Sequence, residues 1–242
     1  MNDKTKIDNE KVADFLNEEM KLKNISSSPY PLVVFVTGVS GSGKSTLIES
    51  IDFNAIKIQS DNYRKLHPKI NFYIQKYGRD EAYKRTGNYS FSFAKKLRDM
   101  AIEKRLNVIY EATFSKIDTA REIINPFIEN GYKIVVVKLP IDIELSVKRN
   151  IARYEEKKAQ EHTIPRITTR EDISKMANNY INTLDEINKQ GIKIIDRESL
   201  KNLLLEHQKK SYSNLFELNM SKTKKENKEK SKEISIKNKM KL

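Results

Sequence analysis

The stretch LVVFVTGVSGSGKST, Leu32 to Thr46, decides how the rest of the chain is read. It opens as an unbroken apolar and β-branched run, Leu32 to Val36, which reads as a strand buried on both faces at the centre of a parallel sheet. Gly38, Gly41 and Gly43 follow, then Lys44, Ser45 and Thr46, giving the G-x4-G-K-S pattern of a phosphate-binding loop. Glycines let the backbone turn tightly and approach an anion without a Cβ in the way. Backbone N–H groups from Ser40 to Ser45 can then converge on one phosphate chain, and the helix that follows adds its positive end. In this reading Gly38, Ser40, Gly41, Ser42, Gly43, Lys44, Ser45 and Thr46 bind ATP. Lys44 reaches the β and γ phosphates, and Ser45 holds Mg²⁺.

The competing reading is a flexible glycine turn between a strand and a helix. The bare pattern arises from average composition in roughly one chain per hundred of this length. Two features favour the nucleotide site. A strand precedes the pattern and a helix follows it, and three of the chain's seven glycines fall within these six residues.

Working outward, a chain of 242 residues is long enough for one α/β domain with appendages and a core that needs no staples. It has no cysteine, which excludes a disulfide framework and thiolate metal sites. No N-terminal signal-peptide pattern is present, and the apolar runs are too short to cross a bilayer, so a cytoplasmic protein with no membrane partner is expected. The net charge of +13 suggests polyanion binding, but nine Lys against three Glu in residues 219–242 carry six of those charges. That basic tail is a candidate for weak nucleic-acid binding.

Upstream, Val12, Phe15, Leu16 and Met20 recur at helical spacing over residues 10–23, an amphipathic helix expected to pack on the domain. Downstream, short strands are expected near residues 55–59, 107–110, 132–139 and 192–195, separated by helical segments. Residues 70–105 read as helical with a break around Gly87 and Asn88. This alternation predicts an α/β fold: a P-loop NTPase-type parallel sheet with helices on both faces. In such sheets the chemistry lies beyond the carboxyl ends of the strands. Asp61 follows the second strand and Glu111 ends the third. Asp61 is equally well read as a helix N-cap. Residues 141–190 form a charged helix carrying Arg149 and Arg153, a looser basic stretch with Arg166, and a return helix. That is the layout of a kinase lid, and its competitor is a solvated helical hairpin. Residues 1–207 are assigned to the kinase domain. Residues 208–242, rich in Lys, Asn, Ser and Glu, are expected to be disordered or a fraying helix.

Several of these motifs together resemble the zeta toxin family, kinases of toxin–antitoxin systems. Ser60-Asp61-Asn62-Tyr63-Arg64-Lys65-Leu66-His67-Pro68 is similar to that family's D-x-[FY]-R-x-x-H-P. Val108 to Thr113 is similar to its strand ending E-G-T, and Arg153-Tyr154-Glu155 to its R-Y-E, with Arg166 where the second lid arginine stands. The resemblance spans about residues 10–200 and implies roles by position. Asp61 is the general base for an acceptor hydroxyl. Arg153 and Arg166 stabilise the phosphoryl group, with Lys44 beside them. Glu111 and Thr113 help hold the acceptor. It also implies transfer of the ATP γ-phosphate to a sugar nucleotide, UDP-N-acetylglucosamine at its 3′-hydroxyl, and a small helical antitoxin as partner. Two positions depart from the pattern. Lys95 stands where an acceptor-binding Glu is expected, and Ser115 stands where an Arg is expected. Lys95 is therefore placed on the acceptor side, favouring an acceptor with extra negative charge. His67 is read as a packed structural histidine.

Two other functions compete: a P-loop kinase acting on another small molecule, a nucleoside or a nucleic-acid 5′ end, and a nucleotide-dependent RNA-binding module without phosphotransfer. Asp61 beside the P-loop, with two lid arginines, speaks against the second.

Overall fold

The structure is a computed structural model and describes residues 5–160, 163–211 and 213. Its sheet has five strands, β1 (Leu32–Thr37), β2 (Ile56–Ile58), β3 (Val108–Ala112), β4 (Lys133–Lys138) and β5 (Lys193–Ile195), in the spatial order β2-β3-β1-β4-β5. All four pairings are parallel. β1 lies in the middle, with Val36 opposite Glu111 on one side and Val137 on the other. Leu32 to Val36 have no exposed surface, as the unbroken apolar run predicts. Each such side chain contributes roughly 1.5–3 kcal/mol when withdrawn from water. Because the strands are parallel, the P-loop after β1, Asp61 after β2 and Glu111 in β3 arrive at one edge.

Phe35 of β1 anchors one face of the sheet against Tyr110, Phe114 and Phe127, with ring centroids 5.6–5.8 Å apart. The N-terminal helix α1 (Asn9–Leu22) starts at Asp8, whose side chain accepts the Glu10 N–H as an N-cap. It buries Val12 and Leu16, and Phe15 meets Tyr63 and Phe93 edge-on, each at 5.6 Å. The amphipathic stripe thus covers the domain's own core. α2 (Lys44–Ser50) follows the P-loop, α6 (Ile117–Glu129) follows β3, α7 (Ile143–Ala159) follows β4, and α8 (Arg170–Lys189) returns to β5.

The block expected to be helical over residues 70–105 is three helices, α3 (Ile70–Tyr77), α4 (Arg79–Arg85) and α5 (Gly87–Glu103). The second break falls at Gly78, and α5 begins at Gly87 itself. Ser60–Leu66 is a 3₁₀ helix. Residues 197–211 are also helical, beyond the last strand the pattern shows. The chain divides into a body, Met1–Leu200, and a C-terminal segment starting at Lys201. The tail expected at 208–242 lies outside the described residues except for 208–211 and 213. Among the described residues no helix is long and apolar enough to cross a membrane.

Candidate active site

The P-loop has the backbone that its glycines allow. Gly41 sits at φ +84°, and a Cβ there would lie 2.5 Å from the Ser146 carbonyl and 2.6 Å from Asn150 Nδ2. Helix α7 therefore rests directly on the loop, and only glycine fits beneath it. Gly43, at φ +96°, is the N-cap of α2 and supplies the left-handed turn into that helix.

Lys44 is buried, and its ammonium donates to the carbonyls of Gly38 and Val39, both at 2.9 Å. Burial lowers its pKa to about 8. The Glu111 carboxylate pulls the other way, while Arg166 and Arg153 push it further down. Glu111 Oε1 is 4.0 Å from the ammonium. Its other oxygen accepts from Ser45 Oγ at 3.2 Å and from Gln59 Nε2 at 2.9 Å. Glu111 of β3 thus stands beside the P-loop, next to the lysine and the hydroxyl assigned to the cation. A hydroxyl and a carboxylate side by side are hard oxygen donors, and they fit Mg²⁺ completed by water and phosphate oxygens. Among the described residues no cluster of three acidic, His or Cys side chains could hold a metal by itself.

Asp61 lies in the first turn of the 3₁₀ helix, whose N-cap is Gln59, so it does not cap a helix. Its Oδ1 accepts from Arg64 Nε at 2.9 Å and from the Tyr83 hydroxyl at 3.0 Å. Its Oδ2 accepts from Arg166 Nη1 at 3.0 Å. Burial alone would raise the carboxyl pKa. The Arg64 and Arg166 charges, with the hydrogen bonds from Arg64 and Tyr83, outweigh it and hold Asp61 below the usual carboxylate value. Arg64 is itself buried, and an ion pair, a backbone hydrogen bond and a ring contact compensate it there. It bonds Asp61, donates to the Tyr83 carbonyl at 2.5 Å, and lies 3.7 Å over the Tyr83 ring. A Cβ at Gly87 would come within 3.3 Å of its guanidinium.

The lid is tied to the P-loop through Asn150 of α7. Asn150 Oδ1 accepts from Ser40 Oγ at 2.9 Å and from Arg153 Nη2 at 2.7 Å. Ser40 Oγ also lies 3.1 Å from Thr168 Oγ1, just past Arg166. At the far end of α7, Arg79 of α4 donates to the carbonyls of Lys157, Lys158 and Gln160 at 2.5–3.4 Å. The Tyr154 hydroxyl bonds Asp80 at 3.3 Å. One turn along the same short helix is Tyr83, so α4 holds both the lid helix and Asp61.

The structure thus brings together Asp61 and Arg166, and likewise Lys44, Ser45 and Glu111, with Arg153 on Ser40. It does not bring Lys95 to them. Lys95 is exposed and pairs with Glu122 of α6 at 3.3 Å. Thr113 bonds Ser115 Oγ at 3.4 Å, beyond the end of β3. His67 is buried, accepts the Lys69 N–H at Nδ1 and packs against the Tyr73 and Tyr89 rings, as expected of a packed histidine. Gln59, Tyr83, Arg79 and Asn150 were not singled out from sequence. Arg64 was visible only as a motif letter.

A parallel 2-3-1-4-5 sheet with a P-loop after its central strand and a basic helical lid over that loop defines a P-loop kinase-type fold. The Zeta toxin family model matches residues 17–210, and the chain belongs to the zeta toxin family. Toxin zeta of Enterococcus hirae is 24% identical over 199 residues, covering 79% of this chain and 68% of that protein. A solved chain from the PezAT chromosomal toxin–antitoxin system of Streptococcus pneumoniae superposes with a TM-score of 0.65. It is 19% identical, and the match covers 80% of this chain and 79% of that one.

Proposed function

We propose that this chain is a toxin kinase that transfers the γ-phosphate of ATP to a hydroxyl of a sugar nucleotide, with the 3′-hydroxyl of UDP-N-acetylglucosamine as the acceptor. The observation that carries this reading is the meeting of Asp61 with Arg166 at 3.0 Å, on the sheet edge that also holds Lys44. A base, a phosphate-directed arginine and a P-loop lysine at one edge are the parts that phosphoryl transfer requires.

The P-loop N–H groups and Lys44 hold the triphosphate, the lysine leaving the Gly38 and Val39 carbonyls for phosphate oxygens. Ser45 and Glu111 would hold Mg²⁺, with Gln59 keeping Glu111 in place; the bound ion neutralises charge on the β and γ phosphates. Arg153 and Arg166 turn toward the γ-phosphate. Once Arg166 leaves Oδ2, Asp61 is a stronger base and can orient the acceptor hydroxyl and take its proton. Arg64 and Tyr83 keep Oδ1 fixed throughout. Membership of a toxin family and likeness to a chain from a toxin–antitoxin system support a protein antitoxin as partner.

The test is ³¹P NMR of the protein with ATP, Mg²⁺ and UDP-N-acetylglucosamine. A new phosphomonoester signal that grows with ADP is the expected result. ATP consumed with other acceptors but not this one would leave a P-loop kinase of different substrate. No transfer to any hydroxyl acceptor would overturn the reading.

A further inference from the structure

Ser40 fills one of the free positions of the G-x4-G-K-S pattern, yet its side chain is buried under the lid. Asn150 and Thr168, which meet it there, are buried as well. The three come from the P-loop, from α7 and from the stretch just before α8. A buried polar group left unpaired is costly, so three of them meeting at one point calls for a full account of their bonds.

The count of protons fixes the direction of each bond. Ser40 has one hydroxyl proton and gives it to Asn150 Oδ1 at 2.9 Å. In its 3.1 Å contact with Thr168 Oγ1, Ser40 therefore accepts and Thr168 donates. Asn150 Nδ2 donates to the Ser146 carbonyl at 2.8 Å, which leaves the amide oxygen facing the P-loop. That oxygen also accepts from Arg153 Nη2 at 2.7 Å. A flipped amide would point its own N–H groups at the guanidinium. Each arm of the lid thus reaches Ser40 within three residues of an arginine. Asn150 lies one turn before Arg153 on α7, and Thr168 lies just after Arg166.

The two arginines are held differently. Arg166 is paired with the Asp61 carboxylate. Arg153 is held by a neutral amide oxygen and, among the described residues, has no ion pair. An amide fixes a guanidinium in place without offsetting its charge. Arg153 also lines the cleft beside Asp61, so the donors it does not spend on Asn150 are left for an anion there.

We infer that Asn150 is the positioning residue for Arg153: anchored through Ser40, it fixes that guanidinium on the P-loop, at full charge, before the γ-phosphate arrives. Thr168 ties the Arg166 arm to the same hydroxyl. This rests on the kinase reading above and deepens it: the P-loop side chain that sets the lid is Ser40, and the neutral amide of Asn150 keeps Arg153 both placed and free to act.

The test reads the γ-phosphate without needing turnover. ADP and a non-hydrolysable ATP analogue, each with Mg²⁺, are titrated calorimetrically into the wild type, Asn150→Ala, Arg153→Ala and the double variant. The wild type should prefer the triphosphate. Asn150→Ala should reduce that preference by up to about tenfold, the worth of one hydrogen bond to a charged group. Its affinity for ADP should be unchanged, which also reports the fold. Arg153→Ala should lose at least as much, and the double variant no more than Arg153→Ala alone, because Asn150 acts through that arginine. Ser40→Ala, which removes the anchor but spares the Asn150 bond to Ser146, should show the same dependence on Arg153 and serves if Asn150→Ala does not fold. An unchanged preference in Asn150→Ala and Ser40→Ala, or losses that add to that of Arg153→Ala, would overturn the positioning role. Failure of the kinase reading looks different: the preference falls through Arg153 as described, yet no acceptor is phosphorylated.

Discussion

Arg166 donates to Oδ2 of Asp61 at 3.0 Å, across 105 residues of chain, so the proposed base and one of the proposed phosphate-directed arginines form an ion pair. In the proposed mechanism neither partner can act while paired. On that reading, bound ATP would offer Arg166 a second anion and free the carboxylate, linking a filled nucleotide site to a competent base.

Tyr83 is expected to set the proton affinity of Asp61. Its hydroxyl donates to Oδ1, a bond to the ionised form that lowers the carboxyl pKa. Tyr83→Phe removes the donor while keeping the ring over Arg64. The Asp61 pKa should rise, and the acid limb of the kcat/KM profile should move to higher pH. Turnover at neutral pH should fall roughly tenfold, the worth of one hydrogen bond to a charged group. An unmoved acid limb would detach Tyr83 from the base.

Lys44 makes nucleotide binding depend on pH. Ligand-free, burial holds it at about 8, so near that pH a large share is neutral. Phosphates favour the ammonium, so the complex binds more protons than the free protein. ATP binding should take up protons at pH 8, and affinity should fall as pH rises past it. Calorimetry in two buffers of different ionisation enthalpy should show an uptake of roughly half a proton, absent in Lys44→Gln. The same shift acts on stability. The unfolded lysine keeps its proton up to about 10.5, so between the two values the ligand-free fold gains stability from this group as pH rises.

Arg79 is expected to act as the latch of the lid. Its fork closes the end of α7 through three carbonyls, geometry that a single ammonium cannot reproduce. Arg79→Ala should speed release of a fluorescent ADP analogue by roughly tenfold, and Arg79→Lys should restore only part of the loss. Unchanged release from both variants would mean that the lid is held elsewhere.

Legibility in the sequence followed the range of each interaction. The P-loop is a local pattern, and Gly41 and Gly43 take the conformations their spacing predicts. Asp61 and Glu111 could be placed because a parallel sheet delivers strand ends to one edge. The resemblance put Glu111 on the acceptor, whereas the structure sets it beside Lys44 and Ser45. Its neighbours Ser45 and Gln59 are 66 and 52 residues away, and only the fold shows that it stands beside the P-loop. The charge of Lys95 was read from its own position, whereas its partner Glu122 lies 27 residues on, in another helix. Tyr83 and Arg79 carry no motif; they matter because α4, a helix of seven residues, crosses between the base and the lid. The break that ends α4 falls where Gly87 leads one to expect it, whereas the break at Gly78 that begins α4 is the weaker signal.

Asp61→Asn is the most direct measurement of whether this edge is a kinase centre with Asp61 as its base. Asn keeps the size of the side chain and can still accept from Arg64 through its one amide oxygen, but its amide nitrogen cannot accept from Arg166 and it cannot take a proton at neutral pH. The variant should fold, bind the ATP analogue as the wild type does, and phosphorylate UDP-N-acetylglucosamine some 10²–10⁴-fold more slowly, the usual range for a lost general base. Near-normal turnover of Asp61→Asn would contradict that role and turn attention to Glu111, the other acid at the end of a central strand.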